Sequence, residues 1–197
     1  MPPTQVNRFI TNQAEIKLTA VEPEGDLVEA ARSNSTAFGE LYRRYVVRVY
    51  RYLYSHVGVS EAAEDLTAQV FCAAWEGMAH YQERGSFAAW LFRIARNKVN
   101  DHFRRQRPDL PFDDGNLLLR EDSDPLASLE QAEALHRLGV LMVRLAPEQL
   151  ELLRLRFAAD LSFAQMATVL GRNEAAVKMS LYRLLEHLRS EWENCDE

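Results

Sequence analysis

The stretch SFAQMATVLGRNEAAVKMSLYRLLEHLR, residues 162–189, decides the fold of the C-terminal part of the chain. Ser162 is suited to cap a helix carrying Phe163, Met166, Ala167, Val169 and Leu170. Gly171 sits where the chain must turn sharply, and Asn173 is suited to cap a second helix running from Glu174 toward Arg189. Val177, Leu181, Leu184, Leu185 and Leu188 give that helix an apolar side, and Ala167 is small where the two helices would cross. A short helix, a three-residue turn with Gly and a longer helix make a helix-turn-helix, whose second helix enters the DNA major groove. The side opposite the apolar one carries Arg172, Asn173, Lys178, Ser180, Tyr182 and Arg183, types that bond phosphates and base edges. An αα-hairpin that merely packs has the same pattern, so this stretch alone leaves both open.

Upstream, the same helical period recurs. Phe38, Leu41, Tyr42, Tyr45, Val49 and Tyr52 return at three- and four-residue steps and predict one buried helix face. Gly58 ends that helix, and Ser60 is expected to cap the next, which carries Phe71, Trp75 and Met78. Ser86 is expected to cap a third helix over about 87–105. On it Arg93, Asn97, Asn100, Arg104 and Arg107 are spaced four, three, four and three apart, one polar face. The loop before it holds Tyr81, Arg84 and Ser86. Together with Trp90 such a loop beside a basic face is able to hold an unstacked base. Equally, Tyr81, Phe87 and Trp90 are simply core aromatics. Between the units, residues 108–125 combine Pro108, Pro111, Gly115 and Pro125 with acids, a linker composition. After it, Leu126 to Leu145 is helical in pattern, and Pro147 opens a helix whose apolar set includes Leu150, Leu153 and Phe157. Nothing alternates as a strand would. The expected fold is all-α: an N-terminal extension over 1–25, expected to be mobile, a helical domain over 26–107, the linker over 108–125, and a helix-turn-helix domain over 126–197.

Composition agrees. The 197 residues are 47% hydrophobic and 26% charged, as in soluble globular domains, and no apolar run approaches the ~20 residues of a membrane span. Two cysteines, Cys72 and Cys195, form neither a disulfide framework nor a metal site, and no secretory signal is visible, so a reduced, cytoplasmic protein is expected. The net charge of −6 alone argues against nucleic acid. Its distribution argues otherwise: residues 84–107 hold seven basic residues and one acid, and residues 109–133 hold eight acids and one base. Five scattered His without ligand spacing, no Gly-rich phosphate loop and no nucleophile motif leave an enzyme without support; no catalytic residue, cofactor or metal is expected.

These stretches together resemble the extracytoplasmic-function class of bacterial RNA polymerase sigma factors. Ala63–Glu64–Asp65–Leu66–Thr67–Ala68–Gln69–Val70–Phe71, followed by Trp75, is similar to the family's polymerase-binding helix. The stretch from Ser86 to Asn97, with Asp101 and Arg104 after it, resembles the helix that melts and reads the minus-ten element. Leu145–Ala146–Pro147–Glu148–Gln149 and Leu155–Arg156–Phe157 resemble the opening of the second domain, and Leu161 through Arg183 the helix-turn-helix for the minus-thirty-five element. The resemblance covers about Asp26 to Trp192.

It implies a promoter-specificity subunit whose partners are core RNA polymerase, promoter DNA (single-stranded at minus ten, duplex at minus thirty-five) and an anti-sigma factor. It assigns Asp65, Gln69, Phe71 and Trp75 to polymerase binding. Tyr81, Arg84, Ser86, Trp90, Arg93, Asn97, Asn100 and Arg104 go to the minus-ten element, and Arg172, Asn173, Lys178, Ser180, Tyr182 and Arg183 to the minus-thirty-five element. Two departures stand out. Ala68 and Gln69 replace a frequent Gln and Glu, and Val177–Lys178–Met179–Ser180 lacks the basic residue of the frequent Val-Lys-Ser-Arg. A linker of about 18 residues spans at most ~60 Å, and two turns of duplex about 70 Å, which the domains' own width completes. A stand-alone helix-turn-helix regulator explains residues 147–190 but leaves Asp65–Trp75 and Phe87–Arg107 without a role.

Overall fold

The computed structural model of the chain describes residues 24–82, 86–106 and 137–194. The expected extension lies almost wholly outside these residues, as do the linker and the helix start at Leu126. Every described element is helical, and none of the described helices is long and apolar enough to cross a membrane. The chain divides into two compact units, with the boundary between Val47 and Arg48.

In the first unit, α1 (Glu24–Ala31) buries Leu27, Val28 and Ala31. Asn34 then caps the next helix, its Oδ1 accepting from the Thr36 N–H at 2.9 Å. That helix, α2, runs Ser35–Val57 and crosses the unit boundary. Its buried stripe in this unit is Ala37, Leu41 and Tyr45, four residues apart at each step. Tyr42, expected inside, is 42% exposed. One residue beyond Leu41 it is turned about 100° from the stripe, so the period that buries its neighbour exposes it. The Tyr45 hydroxyl donates to the Glu24 carboxylate, tying α1 to α2.

The second unit begins with the rest of α2, where Val49, Tyr52 and Leu53 are fully buried. Gly58 stops the helix in the left-handed region at φ 65°, which a side chain would strain. Helix α3 (Ser60–Gly77) follows. Ser60 is already its first helical residue, and Val59 before it caps nothing with its side chain. The Ser60 hydroxyl instead donates to Glu64 at 3.2 Å, so the expected cap is not used. A short 3₁₀ turn, Met78–His80, leads out of α3. Helix α4 (Phe87–Gln106) is capped as expected, by the Ser86 hydroxyl accepting from the Ala89 N–H at 3.2 Å. It packs on α3, and Gly77 permits the approach: a Cβ there would lie 3.2 Å from the Trp90 ring.

Helical segment α5 covers 137–143, and α6 runs Pro147–Leu153 with Pro147 at its start. One turn of π-helix, Arg154–Ala158, continues it, with the Ala159 N–H donating to the Arg154 carbonyl at 2.9 Å. The inserted residue rotates everything after it. Leu150, Leu153 and Leu155 are buried, whereas Phe157, expected in the same apolar set, is 62% exposed. Helices α7 (Phe163–Leu170) and α8 (Glu174–Asn194) then pack on each other, and α4 also packs on α7.

Candidate functional site

Three exposed helix faces carry the residues that the sequence singles out. On α3, Asp65 and Gln69 lie one turn apart and are exposed, with Ala68 and Cys72 beside them. Trp75 continues this face at 46% exposure. Phe71 points the other way and is buried among Ala63, Leu66, Val70 and Ala74, so it fixes the rotation of α3.

On α4, Arg93, Asn97 and Arg104 are exposed and Asn100 is half-buried. Phe92, Ala95 and Val99 are buried on the other side, which fixes the polar face outward. Arg104 is joined to Asp101 by a salt bridge on the surface. At the start of α4, Tyr81, Phe87 and Trp90 form an aromatic cluster, with ring centroids 4.9 Å apart for Tyr81 and Trp90 and 5.6 Å for Phe87 and Trp90. Tyr81 is only 6% exposed and Trp90 half-buried, so the Tyr81 ring is packed within the cluster. Arg84 and Arg107 lie outside the described residues.

The α7–α8 pair is built as its sequence predicts. Ser162 Oγ accepts from the Gln165 N–H at 3.2 Å, and Gln165 Oε1 accepts from the Ser162 N–H at 2.9 Å, a reciprocal cap. Gly171 turns at φ 64°, and Asn173 Oδ1 accepts from the Ala175 N–H at 2.8 Å. Val177, Leu181 and Leu184 are buried, which leaves Lys178, Tyr182 and Arg183 exposed along α8. Arg172 folds across the turn, and its guanidinium donates to Ser180 Oγ at 3.1 Å. Lys178 lies 5.8 Å from the centre of the Tyr182 ring. Ser180 thus holds a cation from the turn beside the place where the basic residue is missing.

One constellation was not expected from the sequence. Glu151 of α6 is 6% exposed. Its carboxylate accepts from the Tyr52 hydroxyl at 2.9 Å and lies 3.2 Å from both His56 Nε2 and Arg96 Nε. Burial alone would raise this carboxyl, but the hydrogen bonds and charge of His56, the Tyr52 hydroxyl and Arg96 outweigh it, and the group lies below its ordinary value. The only sequence signal was an acid inside the apolar run Leu150–Leu155, and its partner Tyr52 is 99 residues away.

Comparison with known proteins converges on one family. The Sigma-70 region 2 family matches residues 41–108, and Sigma-70, region 4 matches residues 135–188. The ECF RNA polymerase sigma factor RpoE of Cereibacter sphaeroides is 30% identical over 174 residues, covering 82% of this chain and 93% of RpoE. The chain belongs to the ECF class of RNA polymerase sigma factors. Among its relatives, the ECF sigma factor BldN of Streptomyces coelicolor is 39% identical over 167 residues, which cover 83% of this chain and 63% of BldN. Among solved structures, CnrH in complex with the cytosolic domain of CnrY superposes with TM-score 0.61 at 26% identity, covering 87% of this chain and 97% of CnrH. Sigma factors direct promoter-specific initiation by RNA polymerase and are not themselves catalytic enzymes. In this sigma factor region 2 spans most of α2 with all of α3 and α4, and region 4 spans α5 to α7 and most of α8.

Proposed function

We propose that the three exposed faces divide the work of promoter recognition. Asp65, Gln69 and Trp75 on α3 dock on core polymerase, with Phe71 setting their orientation from beneath. Arg93, Asn97, Asn100 and Arg104 on α4 follow the phosphates and bases of the opened minus-ten element. Tyr81, Arg84, Ser86 and Trp90 serve the same element, with Tyr81 and Trp90 packed on Phe87 at the start of α4. Arg172, Asn173, Lys178, Ser180, Tyr182 and Arg183 grip the minus-thirty-five duplex. Residues 26–107 and 126–197 act as the two working domains, joined by the acidic segment 108–125, and the protein works in the cytoplasm. It carries no catalytic residue and needs no cofactor or metal. An anti-sigma factor is its regulatory protein partner; that CnrH was solved bound to a segment of a second protein supports this.

The observation that carries the reading is the α4 face: Arg93, Asn97 and Arg104 stand exposed directly opposite Phe92, Ala95 and Val99. A cationic and amide ridge of that period is what a phosphate-tracking helix presents. Duplex affinity of the free protein is low. Residues 147–197 hold six basic residues and nine acids, unlike an autonomous DNA-binding domain. Polymerase compensates by presenting both regions to one DNA. Run-off transcription with core polymerase from a promoter mapped for this factor tests the reading, alongside titration of the same duplex with the free protein. Transcripts only with core, and weak binding alone, are expected. Nanomolar sequence-specific binding without core would support a stand-alone regulator instead.

A further inference from the structure

The buried side of α8 fixes what its opposite side presents. Val177, Leu181 and Leu184 are buried. At about 100° per residue, Met179 lies roughly 140–160° round the helix from each of them. It is the centre of the outward face, and it is 51% exposed. Ala175 lies one turn before it and Arg183 one turn after, both exposed. Lys178 and Ser180 stand about 100° to either side. Each flank carries a cation. One is Lys178, whose ammonium lies 5.8 Å from the centre of the Tyr182 ring. The other is Arg172, whose guanidinium donates to Ser180 Oγ at 3.1 Å. The face therefore presents an unbranched apolar side chain between two cations, and Met179 has no role in the assignments above.

That order matches a major groove. Phosphates line the walls of the groove and base edges its floor, so cations suit the flanks of an inserted helix and base-reading groups its centre. Met179 lies about 8 Å along α8 from its first residue, Glu174. It is thus in the N-terminal turns of the recognition helix, which reach base edges. Its thioether donates no hydrogen bond and accepts only weakly. Pressed against guanine, or against the amino group of adenine or cytosine, it leaves base-edge polar groups with neither water nor a partner. The floor offers one apolar group that it fits, the C5-methyl of thymine. Three rotatable bonds and a polarizable sulfur let the side chain settle on a single methyl. Ala175 ends at Cβ and does not hold the helix away from the bases. Glu186 lies two turns beyond Met179, within about 20° of the same line, and is exposed. A carboxylate there is repelled by DNA, which confines the contact to the first half of α8.

We propose that Met179 is a specificity-determining residue of this sigma factor, packing its thioether on the C5-methyl of a thymine in the minus-thirty-five element. The inference rests on the assignment of α8 to that element and deepens it. Arg172 and Lys178 hold the two backbones on either side, and Met179 reads the base between them.

The experiment uses the full chain bound to core polymerase and a promoter mapped for this factor. Thymines of the minus-thirty-five element, on both strands, are replaced one at a time by deoxyuridine, which removes the methyl and keeps the base pair. Affinity is measured by competition at one salt concentration, because phosphate contacts make it salt-dependent. At one position uracil is expected to weaken binding about threefold to fourfold, the effect of one buried methyl-sized group. With Met179→Ala the same replacement is expected to change affinity less than 1.5-fold, whereas Met179→Leu, still apolar, is expected to keep the methyl sensitivity. Core affinity is expected to be equal in all three proteins. A minus-thirty-five element made of G·C pairs alone, no position sensitive to uracil, or the same sensitivity in Met179→Ala overturns the proposal. A loss of core affinity in Met179→Ala also overturns it, since the side chain is then a polymerase contact. Lys178→Ala with Arg183→Ala separates the two levels of the argument. Promoter affinity that falls in that variant while uracil is without effect refutes Met179 alone, and promoter affinity that does not fall refutes the assignment of α8 as well.

Discussion

Gly171→Ala isolates the backbone of the helix-turn-helix, because nothing else changes there. Gly171 holds φ 64°, and an added Cβ meets no atom within 4 Å. The cost is therefore conformational and not steric. Placing an L-residue in the left-handed region costs about 1–2 kcal/mol. Removing a glycine from the unfolded chain returns about 0.4–1 kcal/mol. The difference, about 1 kcal/mol of destabilisation, corresponds to roughly 2–4 °C in Tm for a chain of this size. The turn is held by the Arg172 N–H donating to the Ala167 carbonyl at 3.0 Å, so relaxing the strain also loosens the entry to α8. Thermal melting by circular dichroism is the assay, with Gly171→Asn as the internal control. Asparagine visits the left-handed region more readily, so its loss is expected to be about half that of alanine. An alanine variant as stable as the parent, or more stable, refutes the reasoning.

Asp65→Ala with Gln69→Ala is expected to weaken core binding in a pull-down while folding stability stays within about 1 kcal/mol, since both side chains are exposed. Phe157→Ser is expected to change stability by less than about 0.5 kcal/mol, whereas Leu155→Ala, at a fully buried position, costs about 2–5 kcal/mol; chemical denaturation compares them. Glu151 gives a pH signature. Its carboxyl is lowered from the ordinary 4.5, so it contributes stability in full above that value and loses it as pH falls through the lower folded-state value. Melting between pH 7 and pH 3 is expected to fall more steeply below about pH 4.5 in the parent than in Glu151→Gln, and parallel curves would show that the carboxylate is not held as described.

The sequence was most informative where structure is local. Ser162, Gly171 and Asn173 do in the fold what their chemistry predicts, because a cap or a left-handed turn is settled within four residues. The α4 face was legible for the same reason: a period over twelve residues fixes which side chains share a side. Phe157 was not, because a π-turn shifts the register and leaves no mark in an apolar pattern. Tyr81 was ambiguous, since an aromatic residue beside a basic helix serves a core and a base equally well, and only its burial against Phe87 and Trp90 separates the two. The Glu151 network was out of reach. Its partners come from two helices some 50 to 100 residues upstream, and no periodicity joins them.

Promoter opening by the α4 face is tested most directly by permanganate reactivity of minus-ten thymines in the complete complex of core polymerase, sigma factor and promoter. With Asn97→Ala and Arg104→Ala together, reactivity is expected to fall at least about tenfold, the effect of losing two polar DNA contacts of ~1 kcal/mol or more each, while core affinity changes less than twofold. Undiminished thymine reactivity in that variant, or an equal loss of core binding, would contradict the account.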